Sequence, residues 1–269
     1  RGHHHMPQLP TDPALCPNPH MPTAPHIAPI VQALVEARRT GQPSHIASQH
    51  PGLTPDEAYE VQGGVAKQLG WFTQRPLAWK VGGHPAPSAA PLPEVLNSPG
   101  HAVAPPAGDV LVEAELAFRL ARTPTGAEDV LACLGTVCVS IEWIATRLSQ
   151  GRQASAAWKL ADQGLHGGLV IGHELPCEAM VRFTLDQWQA QACSLSVNGA
   201  VRSAVRGAHP SINPLLALPW LVAHVAAHAG ALQAGDLITT GACIVTTAQP
   251  GDLIEASFDG VGTCCLQLR

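Results

Sequence analysis

The apolar positions divide the chain into a short N-terminal part with helical spacing and a longer part built of brief apolar runs. In residues 27–39, Ile30, Leu34 and Ala37 recur on one helical face. The next helix is signalled by its ends. Thr54 stands as N-cap, Pro55 at the first helical position and Glu57 where a capping box needs it, and Gly70 follows Leu69 as a stop. Beyond residue 76 the runs shorten. Residues 77–82, 110–120, 136–144 and 168–172 read as strands, with a short helix over 127–134. Residues 181–205 read as antiparallel strands turning at Asn198-Gly199. A helix is expected from Asn213-Pro214 to about His228, bent at Pro219. Gly235-Asp236-Leu237-Ile238 and Gly251-Asp252-Leu253-Ile254 repeat a turn-into-strand pattern, and Asp259-Gly260 turns the last hairpin. Helices followed mostly by strands predict an α+β fold with an antiparallel or mixed sheet wrapped on itself.

Proline punctuates this pattern twice. Residues 7–29 hold eight prolines and no periodicity, which reads as a disordered or extended arm. Residues 85–107 hold seven, which predicts a long ordered loop or lid with neither helix nor strand. Arg1 to Met6 reads as a vector-derived tag, and no secretory apolar stretch follows it. Residues 1–26 are thus expected to be tag and arm, and 27–269 a single catalytic domain.

Composition narrows the function classes. Hydrophobic residues make up 46% and charged residues 13%, so the core is large and part of the sparsely charged surface is expected to lie between subunits of a homo-oligomer. A net charge of −5 argues against a nucleic-acid partner. No apolar run reaches the roughly 18 residues a membrane span needs. The eight cysteines form no CxxC pair and sit mostly in apolar stretches, which fits buried thiols in a reducing cytoplasm.

The chemistry concentrates in two apolar strands. In Val112-Glu113-Ala114-Glu115-Leu116 the alternation of a strand points Glu113 and Glu115 the same way. A solvated face is one reading. Glu142, inside Val139-Ser140-Ile141-Glu142-Trp143, is costly there unless it pairs with a cation, such as Arg147 or Arg119, or binds a metal. Three carboxylates from two apolar strands suit a hard divalent cation, Mg²⁺ or Mn²⁺. Lys80, alone in Ala78-Trp79-Lys80-Val81, is either a snorkelling strand lysine or a partner of that trio. As a strand lysine it should matter for turnover more than for stability. Asp162 alone reads as an ordinary turn aspartate.

These pieces resemble, in order over most of residues 55–268, the 2-keto-4-pentenoate hydratase branch of the fumarylacetoacetate hydrolase superfamily, which also holds 4-oxalocrotonate decarboxylases. The matching pieces include Ala58-Tyr59-Glu60-Val61-Gln62, Trp79-Lys80-Val81-Gly82, Glu113-Ala114-Glu115, Ile141-Glu142-Trp143 with Arg147, Leu160-Ala161-Asp162 and His166-Gly167-Gly168. The most specific is Glu-x-Glu followed 27 residues later by a lone Glu. The resemblance implies a rolled mixed β-sandwich with peripheral helices and a small N-terminal helical part. It implies a metal on Glu113, Glu115 and Glu142, Lys80 in the active site and Asp162 among the catalytic residues. The implied reaction adds water to a 2-hydroxy-2,4-dienoate to give a 4-hydroxy-2-oxo acid, as in the catabolism of aromatic compounds. The alternatives are decarboxylation of a 2-oxo-enoic diacid, hydrolysis of an acylpyruvate and a non-catalytic assembly partner. Two departures stand out. Family hydratases usually carry an acid in the segment after the Lys80 strand, where this chain has only Glu94, which is therefore the candidate catalytic acid of that segment. The chain also reads Trp158-Lys159-Leu160-Ala161-Asp162-Gln163 where family members read Asp-Thr-x-Ala-Asp-Asn.

Overall fold

The computed structural model describes residues 24–83, 86–105 and 110–269. The expected arm before residue 24, Cys16, and positions 84–85 and 106–109 at the ends of the proline-rich segment lie outside them. The helices Ile27–Thr40 and Pro55–Leu69 form as the pattern predicts. Thr54 Oγ1 accepts the Glu57 N–H at 3.2 Å, and the Glu57 carboxylate accepts the Thr54 N–H at 3.1 Å, so two of the free donors of the first turn are satisfied. These helices bury Ile30, Leu34, Val61 and Val65 against Leu148 and Trp158. Gln62, buried on the second helix, donates to the carbonyls of Leu160 and Ala89 and so ties the helical part to the walls of the site.

The strands make two sheets. The larger runs in the order Ser88–Pro91, Ala78–Gly82, Leu237–Thr239, Val110–Leu120, Leu134–Ile144, His166–Ile171 and Leu96–Asn97, with Ile244–Ala248 also paired to Val110–Leu120. The smaller runs Ala200–Arg206, Ala192–Val197, Leu253–Phe258, Gly262–Leu268 and Gly100–Ala102. Both are mixed: Ala78–Gly82 runs parallel to Leu237–Thr239, and Gly262–Leu268 parallel to Gly100–Ala102. Strand alternation assigns the two faces of the larger sheet. Val112, Leu116, Phe118, Val139 and Ile141 go into one core with Leu195, Ile254, Phe258 and Leu266 of the smaller sheet. The odd-numbered positions of Val110–Leu120, Glu113 and Glu115 among them, face the other way.

Three expectations are corrected. The proline-rich segment contains strands after all, and Ser88–Pro91 pairs antiparallel with Ala78–Gly82. It lies at the sheet edge, where a missing N–H costs no ladder bond. The first part of the 181–205 stretch is not a strand: the short helix Glu178–Val181 ends there and the helix Leu185–Ala190 follows, started by a Thr184–Gln187 capping box. Pro219 sits in the first turn of Leu218–His228 and opens that helix instead of bending a longer one. The hairpin turn stands where it was expected, with Asn198 and Gly199 at φ of 52° and 81°.

Gly168 lies opposite Trp143 in the ladder, and a Cβ there would stand 1.9 Å from the indole. Gly168→Ala must therefore displace the ring beside Glu142. It is expected to destabilise the fold by about 1–3 kcal/mol in urea denaturation; an unchanged midpoint would contradict this packing.

Candidate active site

Glu113 and Glu142 are direct cross-strand partners, and Glu115 follows on the same face, opposite Ser140. Each of the three offers a carboxylate oxygen within 4.8 Å of the others. Lys80 reaches the cluster across Leu237–Thr239, because Lys80 is registered with Thr239 and Thr239 with Ala117. Its ammonium donates to Glu142 Oε1 at 2.5 Å and to the Gly164 carbonyl at 3.0 Å. His166 Nδ1 lies 3.1 Å from the same Glu142 oxygen. Glu115 Oε2 accepts from the Thr239 hydroxyl and from the Gly241 N–H, the latter at 3.1 Å. Lys80, Glu113 and Glu115 line a cavity of about 640 Å³ whose far side is the 209–217 segment. Lys80 and Glu113 also border a second cavity of about 780 Å³, with Tyr59, Ser88, Arg152 and Lys159. The proline-rich segment contributes to both, with Ser88, Ala89 and Ala90 on the first and Ala86, Pro87 and Ser88 on the second.

Charge in this cluster is unevenly shared. Burial and the Glu142 charge push the Glu113 carboxyl up, and burial with both neighbouring carboxylates pushes Glu115 well up. Glu142 is fully buried, which works against its charge, but Lys80 and the His166 hydrogen bond overcome this and hold it down at about 2. Burial opposes the Lys80 charge too, yet the attraction of Glu142, Glu113 and Glu115 outweighs it and raises the ammonium. Glu142 Oε2 is buried and has no hydrogen-bond partner among the described residues. Such an oxygen costs about 1–3 kcal/mol. An orphan oxygen among three convergent carboxylates is what a hard divalent cation fits, and a cation there removes the repulsion that raises Glu113 and Glu115.

Two other candidates lie elsewhere. Asp162 is buried and held by Arg147, through its backbone N–H at 2.8 Å and Nε at 2.5 Å. Arg147 also donates to the carbonyls of Asp162 and His166, so this pair fixes the turn that carries Gly164. The turn needs fixing. Gln163, Gly164 and Leu165 have φ of 57°, 61° and 60°, a left-handed conformation two of them adopt only under strain. Glu94 is exposed and lines a different cavity, with Trp71, Phe72 and Leu92. The arginines considered as partners of Glu142 are engaged elsewhere, Arg147 with Asp162 and Arg119 with Glu174.

The family described as fumarylacetoacetate (FAA) hydrolase C-terminal matches residues 72–269. The chain belongs to this family. Among solved structures, it resembles the 4-oxalocrotonate decarboxylase of Pseudomonas putida G7, complexed with magnesium and adipate, with a TM-score of 0.74 at 19% identity over 91% of this chain and 97% of that one. It also resembles the fumarylpyruvate hydrolase of Pseudomonas aeruginosa, in complex with Mn²⁺ and pyruvate, with a TM-score of 0.53 at 16% identity over 71% of this chain and 88% of that one. At these identities the likeness shows the shared fold of this fumarylacetoacetate hydrolase member.

His166, Thr239, Ser140, Gly241 and the Gly164 carbonyl were not marked as site residues by the sequence. Only His166, the polar first residue of the His166–Ile171 strand, carried a readable signal. The others act through backbone atoms or small hydroxyls. Lys80 also proves more than a snorkelling strand lysine, because its removal strands the charge of Glu142, which is 0% exposed. Lys80→Met should cost stability as well as turnover. The expected loss lies toward the lower end of the about 3–5 kcal/mol for breaking a buried pair, since the lysine keeps 18% of its side-chain surface. Chemical denaturation should show that loss without metal and its partial recovery with Mn²⁺. A metal-free variant as stable as the wild type would contradict the pairing.

Proposed function

We propose that the chain is a divalent-metal-dependent lyase acting on a 2-oxo acid, with Mg²⁺ or Mn²⁺ held by Glu113, Glu115 and Glu142. The carrying observation is the partnerless buried Glu142 Oε2 inside the carboxylate trio. Bound there, the cation supplies Lewis-acid stabilisation of charge developing on the 2-oxygen of the substrate. Lys80 stays charged and donates from the same side, which suits it to hold and orient the substrate carboxylate. Residues 88–90 and the 209–217 segment wall the cavity and limit its contact with bulk water.

Hydration of a 2-hydroxy-2,4-dienoate is the first reading. Two cavities of about 640 and 780 Å³ meet at Lys80 and Glu113, with room for a small acid and an incoming water. Decarboxylation of a 2-oxo-enoic diacid is the second, and the placement of two residues favours it. Glu94 lies outside both cavities and Asp162 is bound to Arg147, so neither candidate acid stands beside the trio. Loss of CO₂ uses the same charge stabilisation without activating water. Acylpyruvate hydrolysis, which would use a His–Glu pair to activate water, has weaker support, because the carboxylate that His166 meets, Glu142, is already engaged by Lys80 and belongs to the proposed cation site. Exposed apolar side chains such as Leu77, Val103 and Val201 support a homo-oligomer. No helix among the described residues is long and apolar enough to cross a membrane.

The test supplies Mn²⁺ and, separately, a 2-hydroxy-2,4-dienoate and a 2-oxo-enoic diacid, following ultraviolet loss of the conjugated acid and CO₂ release. Metal-dependent consumption of either is expected, with CO₂ assigning decarboxylation. Glu142→Gln should lower kcat/KM by about 100-fold or more, as several kcal/mol of charge stabilisation go with the metal. Turnover that survives both a chelator and Glu142→Gln would refute the reading.

A further inference from the structure

We infer that His209 is a positioning residue that fixes the carboxylate of Glu115 through a single peptide group, an inference that rests on the metal-site reading above. Glu115 Oε2 accepts the Gly241 N–H at 3.1 Å. The carbonyl of that same peptide, Thr240 O, lies 2.7 Å from His209 Nε2. In a trans peptide the C=O and N–H point in opposite directions, so the imidazole and the carboxylate sit at the two ends of one dipole. A donor at the oxygen polarises the group and strengthens what its N–H gives.

The ring is set for this task. The Ser211 N–H donates to His209 Nδ1 at 3.1 Å, so Nδ1 is the acceptor and the proton sits on Nε2, facing the carbonyl. Both ring nitrogens are thereby engaged, although His209 lines the cavity. That separates a positioning role from direct proton transfer to substrate.

The peptide needs such a hold. Thr240 is anchored on its near side, where its N–H and hydroxyl donate to the Leu116 carbonyl at 3.0 and 2.8 Å. Gly241 follows at φ 102°, a conformation strained for any residue with a Cβ, and a Cβ there would meet His209 Nε2 at 3.3 Å. Glycine at this point lets the peptide plane turn easily in either direction. His209 selects the orientation in which the N–H points at Glu115. It comes from the loop after the Ala200–Arg206 strand, outside the sheet that carries the carboxylates, and so joins the edge of the smaller sheet to the metal site.

Titration of metal-free protein with Mn²⁺ by calorimetry tests this, using wild type, His209→Phe and His209→Gln, with thermal melts run in parallel. His209→Phe removes the donor and should weaken Mn²⁺ binding by about 10–100-fold, the usual effect of losing a group that orients a ligand. His209→Gln keeps an amide N–H that can reach the Thr240 carbonyl and should recover affinity to within about threefold of wild type. If His209→Phe does not fold, His209→Leu, smaller and without any polar atom, replaces it as the donor-lacking variant. Wild-type affinity in a folded donor-lacking variant would overturn the assignment, as would a folded Gln variant no better than the donor-lacking one. A wild type that binds no Mn²⁺ would instead overturn the metal site itself.

Discussion

Three carboxylates share one face of an apolar sheet, and the surrounding structure answers the charge this creates. Glu113 and Glu142 are direct ladder partners, where like charges repel. One ammonium, Lys80, enters from two strands away and settles on Glu142, which is the most deeply buried of the three. Hydroxyl and amide donors take Glu115. These contacts leave one oxygen of Glu142 unanswered and two carboxyls pushed toward their protonated forms. A divalent cation resolves both at once. Without it, the same arrangement is a burial cost that the core around it has to offset.

That offset comes from the opposite face of the same strands. Val112, Leu116, Phe118, Val139 and Ile141 alternate with the polar positions and are almost fully buried against the smaller sheet. The strand geometry that places the carboxylates together therefore also supplies the apolar burial that tolerates them. Around the rim, Arg147 and Asp162 hold a strained turn so that Gly164 meets Lys80, while Gln62 accepts from the Gln163 amide of that turn and donates to the Ala89 carbonyl of the edge strand, tying both to the N-terminal helices. The peripheral elements thus act on the position of the ammonium, which is why the helical part belongs to the description of the site.

The sequence made the anomalies legible more readily than their partners. The Thr54–Glu57 capping box, the Asn198-Gly199 turn and the shared face of Glu113 and Glu115 follow from local rules and appear as read. Glu142 stood out as a carboxylate in an apolar run. Lys80 stood out too, as a lone ammonium able to partner the trio, but its contact with Glu142 in particular was hidden, because it lies 62 residues away and is brought close by sheet order, which no local spacing encodes. The arginines nearer in sequence were the natural candidates, and each found a different acid. Proline hid the Ser88–Pro91 strand because the density of prolines was read as excluding any strand, whereas a sheet edge accepts them. The helix Leu185–Ala190 was masked by the strong hairpin signal that follows, although its Thr184–Gln187 box was present in the sequence. Asp162 and Glu94 show the limit of carrying roles by resemblance: one is tied to an arginine and the other is exposed at a different cavity.

The central claim is that Glu113, Glu115 and Glu142 form one cation site rather than three separately solvated acids. Diffraction from crystals soaked in Mn²⁺, recorded at the manganese absorption edge, tests it most directly. The account predicts one strong anomalous peak bounded by the three carboxylates, with oxygens at about 2.0–2.6 Å. Carboxylates turned apart, or a peak only at the protein surface, would contradict it.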